Sequence, residues 1–264
     1  MALRFHKMHG LGNDFVVIDA RDGPVALDET RARALADRRT GIGCDQVILV
    51  GPGEGSDVSM RIWNSDGSEV AACGNATRCV PVLVGRDVSI RTAAGLLRAS
   101  LDGDGATVDM GAPRFGWDEV PLAYAMDTAR LPAGWQGLEG PAAVSMGNPH
   151  LVFWIDEIHA VPLGQIGPGI ETDPLFPERT NVNLARRIAD DHAEMRTWER
   201  GAGLTQACGT GACAVFATGR RLRLLGPAAR IDMPGGTLRF AESAEGHILM
   251  SGPATHVFAG ETDL

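Results

Sequence analysis

A constant offset of 135 residues brings well-separated positions of this chain into register. Gly12-Asn13 falls on Gly147-Asn148, Met60-Arg61 on Met195-Arg196, Trp63 on Trp198, and Ala72-Cys73-Gly74 on Ala207-Cys208-Gly209. Chance matches would not share one offset, so the chain reads as an internal duplication. A looser echo closes each half, where Met110-Gly111-Ala112-Pro113 resembles Met250-Ser251-Gly252-Pro253. A length of 264 residues accommodates two domains of ordinary size. The halves are expected at 1–114, with the tail 254–264 returning to it, and at 115–253.

Within each half, short apolar or alternating runs such as Phe15-Val16-Val17-Ile18, Gln46-Val47-Ile48-Leu49-Val50 and His150-Leu151-Val152-Phe153-Trp154 lie between Gly, Pro and Asp turns and predict strands. Helices are few: Asp28 to Arg39, the stretch after Cys73, and Gly209 to Leu225. The expected fold is α+β, with two similar domains. Each is a strand-rich mixed sheet curled around a central helix, and the active site lies in the cleft between them. The first copy of the helix is shorter. Cys73 stands 22 positions before Gly95, whereas Cys208 stands 28 before Gly236. Proline inside a helix removes an N–H and clashes with the preceding turn, so Pro81 predicts a helix of about two turns ending before it, against about four turns after Cys208.

Composition excludes several function classes. The chain has 24 basic and 33 acidic residues, a net charge of −9, with no basic cluster. An acidic surface repels phosphate backbones and anionic lipid, so neither nucleic acid nor membrane is an expected partner. No apolar run has the length of a signal peptide or a bilayer span, which points to the cytoplasm. Five cysteines, an odd number, argue against a secreted disulfide scaffold. There is no Cys-x-x-Cys pair and no His-Glu-x-x-His spacing among the seven histidines, so no metal is expected. Lys7 is the single lysine. Pyridoxal phosphate enzymes hold their cofactor through a lysine, and a lone lysine on an N-terminal strand is poorly suited to that. No cofactor is expected; the partner is a small-molecule amino-acid substrate, and a homodimer is compatible with the sequence.

The repeated cysteines carry the chemistry. Cys73-Gly74-Asn75 and Cys208-Gly209-Thr210 each open a small-residue turn before a helical pattern, which places each thiol at a helix N-terminus. Exposed N–H groups there lower a thiol pKa and bind carboxylates. Both effects serve proton abstraction next to a carboxylate, where the developing charge falls on the carboxylate oxygens. Inverting a stereocentre needs one base and one acid on opposite faces, and a duplicated domain supplies that pair. Cys44, Cys79 and Cys213 lack this setting and read as buried, inert thiols.

The blocks His9-Gly10-Leu11-Gly12-Asn13-Asp14-Phe15, Gly41-Ile42-Gly43-Cys44-Asp45-Gln46, Asn64-Ser65-Asp66-Gly67-Ser68-Glu69, Ala72-Cys73-Gly74-Asn75, Met146-Gly147-Asn148-Pro149-His150, Phe176-Pro177-Glu178-Arg179, and Glu199-Arg200-Gly201 with Ala207-Cys208-Gly209-Thr210-Gly211 resemble the diaminopimelate epimerases. The resemblance runs in order from end to end. It implies interconversion of LL- and meso-diaminopimelate, for lysine and peptidoglycan synthesis, with Cys208 taking the proton from the LL isomer and Cys73 donating one. It further implies that the backbones of Gly74-Asn75 and Gly209-Thr210 hold the reacting carboxylate. Asn13, Gln46, Asn64, Asn148, Asn181, Glu199 and Arg200 would recognise the remaining groups. His150 matches a family histidine that supports catalysis, although a histidine after Pro149 also suits a hydrogen-bonded core position.

A substrate that is zwitterionic at both ends needs acceptors and donors together. Arg200 suits the distal carboxylate and Glu199 an ammonium or the catalytic proton. Asn64 and Glu199 occupy the same slot, nine residues before their cysteines. A thiol-based racemase of the proline or hydroxyproline type would share this chemistry and architecture, and a non-catalytic thiol or metal-binding protein is the reading from another class.

Overall fold

The computed structural model describes residues 2–71, 73–103 and 105–264; Ala72 of the repeated motif lies outside the described residues. The chain divides into two compact units, Met1–Asp109 with Ser251–Leu264, and Met110–Met250. The crossings fall at 109/110 and 250/251, where the sequence points to 114/115 and 253/254.

The first unit runs β1 (Leu3–Gly10), β2 (Asn13–Asp19), α1 (Glu29–Ala36), β3 (Gln46–Pro52), β4 (Val58–Asn64), β5 (Glu69–Val70), α2 (Gly74–Val84), β6 (Val88–Thr92), β7 (Gly95–Asp102) and β8 (Gly105–Asp109). The second runs β9 (Gly134–Trp135), β10 (Leu138–Glu139), β11 (Ala142–Ser145), β12 (Pro149–Trp154), α3 (Leu163–Glu171), β13 (Asn181–Ala189), β14 (His192–Glu199), β15 (Gly203–Thr205), α4 (Gly209–Arg221), β16 (Ala228–Met233) and β17 (Gly236–Glu242). Strand β18 (Ile248–Pro253) follows, and β19 (Thr255–Thr262) pairs antiparallel with β1 in the first unit.

The two units repeat one strand topology. In the first, β1–β2 is antiparallel, β2–β3 parallel, β3–β4 and β4–β5 antiparallel, β4–β6 parallel and β6–β7 antiparallel. In the second, β11–β12, β12–β13, β13–β14, β14–β15, β14–β16 and β16–β17 follow in the same senses. Each parallel step requires a crossover. In β2–β3 and β12–β13 it contains α1 and α3; in β4–β6 and β14–β16 it contains α2 and α4. Helix α2 packs on β1, β6, β7, β8 and β19, and α4 on β11 to β14, β16 and β17. These are the mixed sheets around one helix that the repeat predicts.

Helix α2 does not stop before Pro81. It continues to Val84 with Pro81 inside it, which corrects the two-turn expectation. Cys79, Val80 and Pro81 are buried, so packing of this apolar face outweighs the lost N–H at Pro81, whose normal acceptor would be the Thr77 carbonyl. The stop is Gly85, left-handed at φ 79°, whose N–H donates to the Pro81 carbonyl at 2.8 Å. Helix α1 is capped by the Asp28 carboxylate on the Arg31 N–H and ends at Ala36, short of Arg39. Helix α4 ends at Arg221, short of Leu225, whose N–H turns back to the Gly219 carbonyl. Helix α3, which contains three glycines and Pro168, is legible only in three dimensions. Leu163, Ile166 and Ile170 fall on one buried face, and Gly167 lets the Trp198 ring approach where a Cβ would stand 2.6 Å from it.

Candidate active site

Cys73 and Cys208 hold the same position in their units. Each is the N-cap of the central helix with extended backbone, at φ −148° and −125°. Each carbonyl accepts the first helical bond at 2.9 Å, from Thr77 and Ala212. The orphan N–H groups of the first turn, including those of Gly74, Asn75, Gly209 and Thr210, are therefore gathered beside each sulfur.

In the first unit, Cys73 is half-buried and its Sγ donates to Asn13 Oδ1 at 3.8 Å. The same oxygen accepts from Asn75 Nδ2 at 3.3 Å. Gln46 and Asn64 face each other across β3 and β4, with Gln46 Nε2 donating to Asn64 Oδ1 at 3.0 Å. Gln46 Oε1 is buried and lacks a hydrogen-bond partner. An orphaned acceptor of this kind suits an ammonium donor from a ligand.

The second unit surrounds Cys208 with donors. Its Sγ accepts from the Gly211 N–H at 3.3 Å and lies 3.6 Å from Thr210 Oγ1. That hydroxyl accepts from Asn148 Nδ2 at 3.4 Å, leaving its hydrogen for the sulfur. Asn148 Oδ1 lies 3.0 Å from His150 Nε2, and His150 Nδ1 lies 3.3 Å from Asn183 Nδ2. Both ring nitrogens thus face amides, with Nε2 the donor and Nδ1 the acceptor. His150 is wholly buried, and burial, with a smaller effect of the Arg200 charge, lowers its pKa to about 3. It is a neutral imidazole that orients Asn148 and, through it, Thr210.

Burial raises Cys208 well above the usual thiol range, and the charge of Glu199 raises it further, against the pull of Thr210 and the Gly211 N–H. Burial also raises Glu199, while Thr205 Oγ1, donating at 2.5 Å, and Cys208 pull it down. A thiol and a carboxyl are thus neighbours in one dry site, each favouring protonation, and can pass one proton between them. Asn181 is engaged with backbone on both sides: its Oδ1 accepts from the Arg200 N–H at 3.0 Å and its Nδ2 donates to the Pro149 carbonyl at 2.8 Å. It pins Arg200, whose guanidinium donates to the Glu178 carbonyl at 2.7 Å.

The structure links Cys73 with Asn13 and Asn75, pairs Gln46 with Asn64, and joins Cys208, Thr210, Asn148 and His150 in one chain with Glu199 beside it. The sequence does not single out Asn183, Thr205, Glu171 or Arg78. Asn183 shares a strand face with Asn181, two residues on, and that alternation is a readable signal. Glu171, buried, accepts from Trp198 Nε1 at 2.7 Å and the Gly201 N–H at 3.1 Å, holding the segment that carries Glu199 and Arg200. Cys44, Cys79 and Cys213 are buried; burial pushes Cys44 up to about 11 and Cys79 up to about 12.

The family model described as diaminopimelate epimerase matches residues 5–116 and 142–257. The chain is 61% identical to the diaminopimelate epimerase of Zymomonas mobilis and 54% identical to that of Erythrobacter litoralis, in both cases covering all of this chain and 98% of the relative. At the level of fold alone, it is similar to a predicted epimerase from Pseudomonas aeruginosa, with a TM-score of 0.70, 20% identity and 99% of each chain covered. It is likewise similar to a hydroxyproline epimerase from Agrobacterium vitis, with a TM-score of 0.66, 15% identity, and 99% of this chain and 91% of that one covered. A repeated topology, a cysteine at each central helix, a family model matched over most of the chain and relatives matched over its full length converge on one assignment: the chain belongs to the diaminopimelate epimerase family.

Proposed function

We propose that this protein interconverts LL- and meso-diaminopimelate by proton transfer between two thiols, and thereby serves lysine and peptidoglycan synthesis. The observation that carries the mechanism is the equivalent placement of Cys73 and Cys208 as N-caps of the paired helices. For the LL isomer, the Cys208 sulfur takes the α-hydrogen as a proton, having passed its own to Glu199. The electron pair of the broken C–H bond spreads onto the α-carboxylate, where the first-turn N–H groups at Gly74-Asn75 and Gly209-Thr210 stabilise it. Cys73 delivers its proton to the opposite face of the same carbon. The enzyme is left with Cys73 as thiolate and Cys208 as thiol, which is the starting state for the reverse reaction. His150 supports catalysis by orienting Asn148 and Thr210, without exchanging a proton. Gln46 with its orphaned oxygen, Asn13, Asn64 and Asn148 recognise the polar ends, and Asn181 holds Arg200 for the distal carboxylate.

The test is deuterium incorporation at the α-carbon in heavy water, with diaminopimelate and proline as alternative substrates. Exchange into diaminopimelate alone is expected; exchange into proline alone would favour the proline-type racemase, which shares this fold. Cys208→Ser keeps the shape but provides a far weaker base, so turnover should fall by roughly 10³-fold or more.

Among the described residues, the five cysteines form no disulfide and no helix is long and apolar enough to cross a membrane. Thiol chemistry of this kind requires a reducing compartment, and we place the enzyme in the cytoplasm. We further propose a homodimer, because β19 leaves Val257 and Phe258 about half exposed, at 53% and 49%. Sedimentation of the protein and of Phe258→Asp tests it: a dimer that dissociates in the variant is expected, and a monomeric native protein would refute it.

A further inference from the structure

Arg78 and Asp45 stand at the two ends of a line of amides that passes the Cys73 thiol. Arg78 is wholly buried, and its Nη2 donates to Asn75 Oδ1 at 3.0 Å. A guanidinium only donates, so the oxygen of Asn75 must face it and the amide nitrogen must point away, toward Asn13 Oδ1 at 3.3 Å. At the other end, Asn13 Nδ2 donates to Asp45 Oδ2 at 3.0 Å. A carboxylate only accepts, so this contact requires the same orientation of Asn13. Asp45 is itself anchored: Oδ2 also accepts the Asp14 N–H at 3.1 Å, and Oδ1 accepts from Arg38 at 2.8 Å. Arg38 reaches on to Asp14 at 2.6 Å, where Lys7, the only lysine of the chain, closes the corner. The charges at both ends therefore leave Asn13 one way to turn, with its oxygen toward the Cys73 sulfur.

We infer that Asp45 is a positioning residue that acts through Asn13, fixing the amide polarity so that an acceptor holds the Cys73 proton in the resting enzyme. The second unit has the opposite polarity. There Asn183, His150, Asn148 and Thr210 end in a hydroxyl donor aimed at Cys208, beside the Gly211 N–H. One thiol thus faces an acceptor that holds its proton, while the other faces two donors, the Thr210 hydroxyl and the Gly211 N–H, which favour its thiolate against burial and the charge of Glu199. This inference rests on the reading of Cys73 as one of the two reacting thiols, but its test reads thiol chemistry without turnover, so either can fail alone.

The alternative is that Asp45 only pins the β1–β2 turn. The two are separated by the rate of iodoacetamide alkylation at the Cys73 peptide, followed by mass spectrometry at fixed pH. Asp45→Asn is isosteric and removes the carboxylate that holds Asn13 Nδ2, so that only the long 3.3 Å contact from Asn75 still opposes a turn of the Asn13 amide that brings a donor to the sulfur. Alkylation should accelerate about fivefold, the net worth of one hydrogen bond. Asp45→Glu restores an obligatory acceptor and should stay within about twofold of the native rate. In an Asn13→Ala background there is no amide to turn, so Asp45→Asn should change nothing. Equal acceleration in both backgrounds, or none in either, overturns the inference.

Discussion

His150 shows what burial does to a titratable side chain inside the candidate site. Its ordinary pKa is 6.5, and the fold lowers it to about 3. Between those values the unfolded chain binds a proton that the native chain excludes. Stability is therefore complete above about pH 6.5 and falls as pH drops toward 3. The urea midpoint should decline over that interval, and His150→Gln should flatten the decline; an unchanged pH dependence would mean the ring is not held neutral. Glu199 has the complementary role. Glu199→Gln preserves shape and an acceptor for Thr205 but cannot hold a proton, so turnover should fall about 10²-fold while the fold is retained. Near-native turnover in that variant would exclude Glu199 as the proton partner of Cys208. Cys73 with Gly74 and Cys208 with Gly209, and Asn13 with Asn148, stand out in the sequence because they recur at a fixed spacing, whereas Gln46, Asn75, His150, Asn181 and Arg200 are named through the family resemblance. Thr205 and Arg78 were not legible, because a partner's identity depends on pairing across strands and helices that no local pattern encodes.

At the scale of elements, proline and glycine were overruled by packing. Pro81 sits in α2 with its ring buried, and the helix continues to the left-handed Gly85. Pro81→Ala returns an N–H to the Thr77 carbonyl and removes the ring clash, at the cost of a smaller buried side chain and a freer unfolded chain. A net gain of about 1–2 kcal/mol is expected in denaturant unfolding. A loss would show that the ring's packing outweighs the missing bond. Gly167 is the converse case in α3: alanine is the better helix former, but its Cβ would stand 2.6 Å from the Trp198 ring. Gly167→Ala should destabilise by about 1–3 kcal/mol despite the gain in propensity. Strands β2, β3 and β12 were readable from their apolar runs. Helix α3 was not, because its sequence, rich in Gly and Pro, signals a loop until Leu163, Ile166 and Ile170 find the core.

For the molecule as a whole, the duplication was the most legible feature and it organises the function. One topology occurs twice, and each copy ends its second parallel crossover in a helix capped by a thiol. The offset of 135 holds from β2 through β4 and from β12 through β14, and is lost only after the cysteines, where six residues separate the two copies. Length, charge and composition could not reveal the opposite polarity of the two thiol environments, since that arises from Asp45 and Arg78 in one unit and from a backbone-anchored Asn183 in the other. The central claim is that two thiols, one on each face, exchange different protons with one carbon. Its most direct test is the fate of the α-hydrogen in the first turnovers of LL-diaminopimelate in heavy water. The account predicts that the meso product carries deuterium from its first appearance while the recovered LL substrate retains hydrogen; a meso product that keeps the original hydrogen would contradict it.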